Sequence, residues 1–276
     1  MKPKIIVHCL IKNEENFIWY ALNSILPYVD EIMVWDTGST DRTVKIIKSI
    51  KSPKISFQQQ HSVTPNSFPK LRQKMLKKTP PNYTWLMILD GDEIWPENSI
   101  KKATAFARNH FRYESIVVRT NNLVGDIYHR LPESAGHYQL AGKTGHLALR
   151  FINLKKIPGL HVSLPYGQEG YFDQSNQPIQ NRDLQKIKFL NLSYHHATHL
   201  TRSSQDNQTM KRIFKRKYEI GETVKKEELP HIFFSSHPSN IPDVTSKASL
   251  NFRLTAAIQT PFRRLKRQLL KSKSGY

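Results

Sequence analysis

Cysteine is almost absent from this sequence. Cys9 is the single one in 276 residues, which excludes an intrachain disulfide, and its place in "KIIVHCLI" (4–11) predicts a buried thiol. Long apolar runs are missing as well. The longest near the N-terminus, "IIV" at 5–7, is too short for a membrane span or the core of a signal peptide, so the chain reads as cytoplasmic. Acid is scarce beside base, with 22 Asp and Glu against 42 Lys and Arg and a formal net charge of +20. Such an excess suits anionic partners: nucleic acid, anionic lipid headgroups or phosphorylated substrates. The scarcity deepens toward the C-terminus. From residue 201 onward 16 basic residues face 6 acidic ones, and "FRRLKRQLLKSKSGY" (262–276) holds no acid at all.

What is present fits a soluble globular protein, with 38% hydrophobic and 23% charged residues. The length allows one large domain, or one with a modest appendage. The first half alternates strand and helix patterns. Strands are expected at 4–11, 31–36, 54–60 and 83–90, and helices at 13–26, 37–50 (after a Gly/Ser turn) and 70–78. Alternation of this kind predicts a mostly parallel, three-layer α/β sheet. The second half is less regular. Strands are expected at 114–123 and 146–157, a Gly/Pro-rich loop at 157–173, and a strand entering a His-rich loop at 186–200. A polar-started helix is expected at 203–222, no core pattern after about 230, and a basic helix at the end. No internal repeat is evident.

In open α/β sheets, ligands gather beyond the carboxyl ends of the strands. Three polar groups stand there: Asn13 with Glu14, Asp36, and the cluster Asp90, Asp92 and Glu93 that closes "TWLMILDGDEIW" (84–95). Two carboxylates one residue apart on a turn suit a hard divalent cation such as Mg²⁺ or Mn²⁺, which takes oxygen ligands and bridges to substrate phosphates. Gly91 between them permits the bend. The bland alternative is a turn made by Asp and Gly, with Glu93 solvated.

"IKNEENFIWYALNSILPYVDEIMVWDTGSTDRT" (11–43), followed by "WLMILDGDEIW" (85–95), resembles a family 2 glycosyltransferase of the GT-A fold. The resemblance is strong over roughly 1–100, weaker to about 220, and absent beyond. It implies a Rossmann-like three-layer α/β/α fold with a mostly parallel mixed sheet. The expected organisation is a GT-A domain over 1–225, with a nucleotide-sugar half (1–100) and an acceptor half (101–225), and a C-terminal helical basic extension over 226–276. It further implies transfer of a hexosyl-type sugar from a nucleotide-sugar donor, UDP- or GDP-linked, to a hydroxyl acceptor with inversion. That acceptor would be a glycan, a lipid-linked molecule or a protein, in polysaccharide or glycoconjugate synthesis.

Residue by residue, the resemblance puts Asp36 at the base or ribose, with Asn13 and Glu14 lining the same pocket. Arg72 stands where an Arg-Asn pair is common, although Gln73 replaces the Asn. Asp90 and Asp92 match the D-x-D motif that holds Mn²⁺ or Mg²⁺ against the diphosphate, and Asp90 thereby also borders the donor. "YHHATHL" (194–200) resembles the region that completes the metal sphere, with His196 and His199 as candidates, and Arg202 beyond them suits a phosphate. The spacing of His195 and His199 is that of a zinc-protease helix, but His196 occupies the place of the catalytic Glu. Inversion needs a general base. The His-Glu pair of related enzymes is missing, since Val162 follows His161, so Glu169 is the first candidate and Asp126 the second.

The basic tail "TPFRRLKRQLLKSK" (260–273) places Phe262, Leu265 and Leu269 on one helical face, which suits peripheral contact with an anionic inner membrane face. Two rival functions remain. A nucleotidyltransferase would share the sheet and the metal but needs a Gly-rich phosphate loop after the first strand, and "LIKNEEN" has no glycine. A nucleic-acid-binding protein is suggested by charge alone, with no recognisable motif, so no specific nucleic acid is expected.

Overall fold

The computed structural model describes residues 2–60, 63–209 and 211–269. Three apolar runs of the first half become parallel strands because they are buried on both faces, and a half-exposed fourth, Ile55–Gln59, pairs at the sheet edge. These are β1 (Ile5–Ile11), β2 (Glu31–Asp36), β3 (Ile55–Gln59) and β4 (Trp85–Leu89). β1 lies between β2 and β4, with Ile11 paired to Asp36 and Cys9 to Leu89, so the three strands end together. A two-residue strand, β5 (Glu93–Ile94), follows β4 after the Asp-Gly-Asp turn.

Side chains alternate across the pleat and divide the core in two. Ile5, Val7 and Cys9 of β1 face α1 (Ile18–Ile25), α2 (Thr43–Ser49) and α4 (Glu97–Asn109). Ile6 and Leu10 face the other way, toward Met75 of α3 (Phe68–Lys78). This is the three-layer α/β/α arrangement expected from the sequence.

The second half widens the sheet with β6 (Ser115–Val124), β7 (Asp126–Arg130), β10 (Leu147–Asn153) and β13 (Ile187–His196). Small hairpins, β8 (Tyr138–Leu140) with β9 (Lys143–Gly145) and β11 (His161–Ser163) with β12 (Gly170–Phe172), lie outside it, and β14 (Glu222–Thr223) edges β7. The order is β14-β7-β6-β10-β4-β1-β2-β3, with β10 antiparallel between β4 and β6. β13 pairs in parallel with β6 and antiparallel with β5, which brings His196 opposite Glu93.

Two expectations change. The helix expected over 203–222 is absent: the described part of the stretch holds 3₁₀ turns at Asp206–Gln208 and Ile213–Lys215 and ends at the first residue of β14. Its polar side chains bond to the ends of β1 and α2 instead of repeating along a helix, as detailed below. The stretch after 230, which has no apolar period, nevertheless supplies Phe233 and Ile241 to the main core. Single anchors do this: the Tyr20 hydroxyl donates to the Pro242 carbonyl at 2.8 Å, and Phe233 packs against the Tyr20 ring.

The final helix, α5 (Leu250–Leu269), starts ten residues earlier than the tail pattern suggests. Residues 270–273 of that pattern lie outside the described residues. α5 is fixed where Phe252 sits over Gly125. A Cβ there would stand 2.5 Å from the ring, and the φ of +78° also demands glycine.

Candidate functional site

The site forms where β1, β2 and β4 end together. Beyond β1, Asn13 takes a left-handed backbone conformation (φ +53°). Its side-chain oxygen accepts from the Thr40 amide at 2.8 Å, and its own amide donates to Ser39 Oγ at 2.8 Å. Asp36 is fully buried. Its carboxylate accepts from the amides of Gly38 (3.1 Å) and Ser39 (3.0 Å) and from the Ser39 hydroxyl, so it shapes the turn of "DTGS". The DTGSTDRT block thereby locks the ends of the first two strands to each other.

The Asp-Gly-Asp turn lies beside them. Gly91 has no room for a side chain, because a Cβ would stand 2.7 Å from Cγ of Glu14 and 3.0 Å from Ile11. Asp90 remains partly exposed, whereas Asp92 and Glu93 are sealed. Arg202 Nη1 donates to Asp92 Oδ2 at 2.5 Å, and His196 Nε2 lies 3.4 Å from the same oxygen. Arg150 contacts Glu93 and lies 3.5 Å from Asp90, while Arg72 approaches Asp90 at 3.8 Å.

These partners set the protonation of the acids. Burial opposes the charge of Asp92, but Arg202 and His196 more than offset it and hold the carboxyl well below the usual range. Burial raises Glu93 to about 7 despite Arg150, helped by the neighbouring charge of Asp90. Glu14 is raised to about 8 by burial, with Asp92 and Asp90 adding to the effect and Arg202 and Arg212 opposing it. His196 is raised, since Asp92 outweighs its burial.

A strap of chain from 197 to 216 crosses these strand ends. The Asn16 amide donates to the Arg202 carbonyl at 3.0 Å, Ser203 Oγ to Asp41 at 2.5 Å, and the Ser204 amide to Glu15 at 2.8 Å. Asn13 Nδ2 donates to Thr209 Oγ1 at 3.1 Å. Arg212 bonds Glu14 (2.7 Å), the Lys12 carbonyl (2.9 Å) and Asp206 (3.1 Å).

The sequence-expected residues therefore separate into groups. Asn13, Glu14, Arg72, Asp90, Asp92, His196 and Arg202 belong to one connected network, and Asp36 to the adjoining turn. Of the four expected ligands, Asp90 and His196 converge with Glu93, all three donor atoms lying within 4.8 Å of one another. Asp92 and His199 stand outside that group. Asp92 Oδ2 is held by Arg202, and His199 Nδ1 donates to the Lys215 carbonyl at 2.6 Å. Glu169, on the loop between β11 and β12, is half-buried and accepts from the Gly167 amide. Its charge acts on Arg72 across the site. Asp126 is spent structurally: it accepts from the Tyr128 amide (2.9 Å), His129 (2.7 Å) and the Ala248 amide (2.9 Å).

Arg150, Arg212 and Glu93 are members of the network that sequence reasoning did not assign. Arg150 carried a signal, being the lone charge inside the apolar strand "LALRFIN". Arg212 carried none, as one of five cations in "KRIFKRK" (211–217).

The residues present fit a divalent cation. Two carboxylates and an imidazole converge, and Oδ1 of Asp92 and Oε2 of Glu14 are buried without a partner among the described residues. Oxygen donors with one imidazole suit Mn²⁺ somewhat better than Mg²⁺.

The profile described as "Glycosyl transferase family 2" matches residues 7–159, more than half of the chain. The chain belongs to this family. The matched span runs from β1 through β10 and so includes the ends of β1, β2 and β4, but not the end of β13 that carries His196. No curated protein matches the chain. Among solved structures, it is similar to S. aureus TarS at 18% identity and a TM-score of 0.45, over 71% of this chain and 37% of that one. A TarS 1–349 structure gives 18% and 0.45, over 74% and 62%. Glucosyl-3-phosphoglycerate synthase from Mycobacterium tuberculosis, solved with Mg²⁺ and uridine-diphosphate, is similar at 19% identity and a TM-score of 0.46, over 71% and 72%. The family 2 chain thus spans little more than a third of the full TarS chain.

Proposed function

We propose that this family 2 chain transfers a sugar from a nucleoside-diphosphate donor to a hydroxyl acceptor, with a divalent cation at the end of β4. The observation that carries the reading is the convergence of Asp90, Glu93 and His196 beyond the parallel strands of a family 2 fold. Those three residues would hold the cation, with Asp92 orienting His196 from behind. When bound, the cation supplies Lewis-acid stabilisation of the charge that grows on the departing diphosphate.

The chain's own groups do the rest. Arg72 and Arg150 already lean toward Asp90 and are placed to take diphosphate oxygens beside it. Asn13 and the turn built by Asp36 form the wall where the nucleoside lies, and Arg202 with Glu14 closes the far side. Glu169 is the group that takes the acceptor's proton, because it is half-open to solvent and sits across from Arg72. A single displacement with that base inverts the anomeric centre. The acceptor is a glycan, lipid-linked or protein hydroxyl in polysaccharide or glycoconjugate synthesis, and the donor carries UDP or GDP.

Titration calorimetry with UDP and with GDP, each with and without Mn²⁺, tests this. Tighter binding with Mn²⁺, lost in Asp90→Ala, is the expected result. Equal affinities with and without the ion, or an Asp90→Ala protein that keeps the increment, would overturn the metal assignment.

A further inference from the structure

The most unusual surface lies away from the site, on α5. This helix packs on the protein through Ala256 and Thr260, its two buried residues. Thr260 Oγ1 accepts from the Ile220 amide at 2.8 Å, Arg263 donates to the Tyr218 carbonyl at 3.2 Å, and Arg267 pairs with Glu219. The opposite face is apolar. Leu250, Leu254, Ile258, Phe262, Leu265 and Leu269 are between 52% and 72% exposed. At 3.6 residues per turn they fall within about a third of the helix circumference, turned away from Ala256 and Thr260. The stripe runs the length of a 20-residue helix, about 30 Å. Asn251 and Gln268 interrupt the stripe only near its two ends, and an apolar face of that size on an exposed helix marks a contact.

Charge identifies the occupant. α5 carries five cations (Arg253, Arg263, Arg264, Lys266 and Arg267), and no Asp or Glu occurs anywhere after Asp243. Around the helix, Arg253 and Arg264 flank one side of the stripe and Lys266 the other. Two copies meeting face to face would press these like charges together. An anionic bilayer instead accepts both parts, the apolar edge below the headgroups and the cations among them. The same cations prevent insertion across the bilayer, and no helix among the described residues is long and apolar enough to span one.

We propose that the outer face of α5 lies in the plane of an anionic membrane surface, with the stripe from Leu250 to Leu269 as its buried edge. The contact does not depend on the transferase reading and would hold for an inactive chain. It has a consequence for the site, because α5 is tied to Tyr218 and Glu219, a few residues beyond the strap that carries Arg212. The membrane and the donor site thereby bracket one short segment.

Co-sedimentation of the full chain decides the matter. It uses vesicles of phosphatidylcholine alone and vesicles of equal phosphatidylcholine and phosphatidylglycerol. The chain is expected to pellet with the mixed vesicles and to stay in solution with the neutral ones. Ile258→Glu with Phe262→Glu lowers the partition at least about tenfold, since the exposed side chains that anchor the helix become anions. A circular dichroism melt checks that this pair leaves the fold intact. Arg264→Gln and Lys266→Gln each lower binding about fivefold at low salt, and less at about 1 M salt.

Three results overturn the proposal. One is wild-type protein left in the supernatant with both vesicle types. Another is equal pelleting with neutral and anionic vesicles, or by the folded double-glutamate variant. The third is a dimer in sedimentation velocity that this variant converts to monomer, with no vesicle binding.

Discussion

The parallel sheet and the strap that crosses it are held by different forces. β1, β2 and β4 are built from residues such as Ile5, Val34 and Met87, buried on both faces, so apolar packing is what positions them. The described residues of the strap at 197–216 have little regular structure and few apolar anchors. It is fixed by Arg202 on Asp92, Arg212 on Glu14 and Asp206, and Ser203 and Ser204 on Asp41 and Glu15. Hydrophobic burial is tolerant and additive, whereas a buried charge network fails when one member is withdrawn. The groups proposed to hold the cation and the donor lie along the seam between the two regions.

The sharpest way to break this comparison is Arg202→Ala, which leaves buried Asp92 with His196 alone and takes from Glu14 the weaker of its two cations. Removing one partner of a buried pair costs about 3–5 kcal/mol, more than a conservative core trim such as Ile46→Val at about 0.5–1.5 kcal/mol. Urea unfolding of the two variants is the measurement. A loss for Arg202→Ala no larger than that for Ile46→Val would mean that the strap is not held by charge.

The dependence on pH separates the regions next. The Glu14 carboxyl, ordinarily near 4.5, is raised to about 8 in the fold. Between those values the folded chain keeps a proton that the unfolded chain has released. Stability therefore falls as pH rises from about 4.5 to about 8 and levels off above. Asp92 acts with the opposite sign. Its stabilisation is present above the ordinary value of 3.8 and is lost as pH falls through its depressed folded value. Glu14→Gln should flatten the decline, read as the urea midpoint between pH about 5 and about 8. A variant that declines as steeply as the wild type would remove Glu14 from the explanation.

The same contrast explains what was legible in the sequence. Buried parallel strands announce themselves as apolar runs, so β1, β2, β4 and the acids at their ends were placed within a residue or two. The DTGSTDRT block was legible because its turn demands those residues at those positions. The polar-started pattern at 203–222 reads as a helix, but its polar residues serve distant partners, and no local period records a bond from Ser204 to Glu15 or from Thr209 to Asn13. The alternative of a solvated Glu93 fails because the side chain is sealed, by His196 and Arg150 arriving from β13 and β10. Likewise, Phe233 and Ile241 reach the core as isolated anchors, which periodicity cannot detect.

Gly91→Ala sharpens the seam from the sheet side. The new methyl would press on Cγ of Glu14 and on Ile11, and overpacking of this kind costs about 1–3 kcal/mol. Because Glu14 also holds Arg212, the strap should loosen along with it. Limited trypsin digestion reads this directly, as faster cleavage at Arg212, Lys215, Arg216 or Lys217 than in the wild type. Unchanged cleavage together with a lowered midpoint would confine the damage to the sheet.

The smallest effect is expected at the solvent edge of the same seam. Thr40 Oγ1 donates to Gln208 at 3.2 Å in an exposed position, so water replaces the bond when Thr40→Val removes it, and the change should stay within about 0.5 kcal/mol. Thr209→Val removes a hydroxyl of similar kind, but the partner left behind is Nδ2 of Asn13, in a residue with no exposure. That amide has no water to turn to, and its loss should cost about 1–3 kcal/mol. Two hydroxyls on opposite sides of one seam thus differ chiefly in the burial of the partner each leaves behind. Equal midpoints for the two variants would show that solvent reaches Asn13 and that the strap does not close over the end of β1.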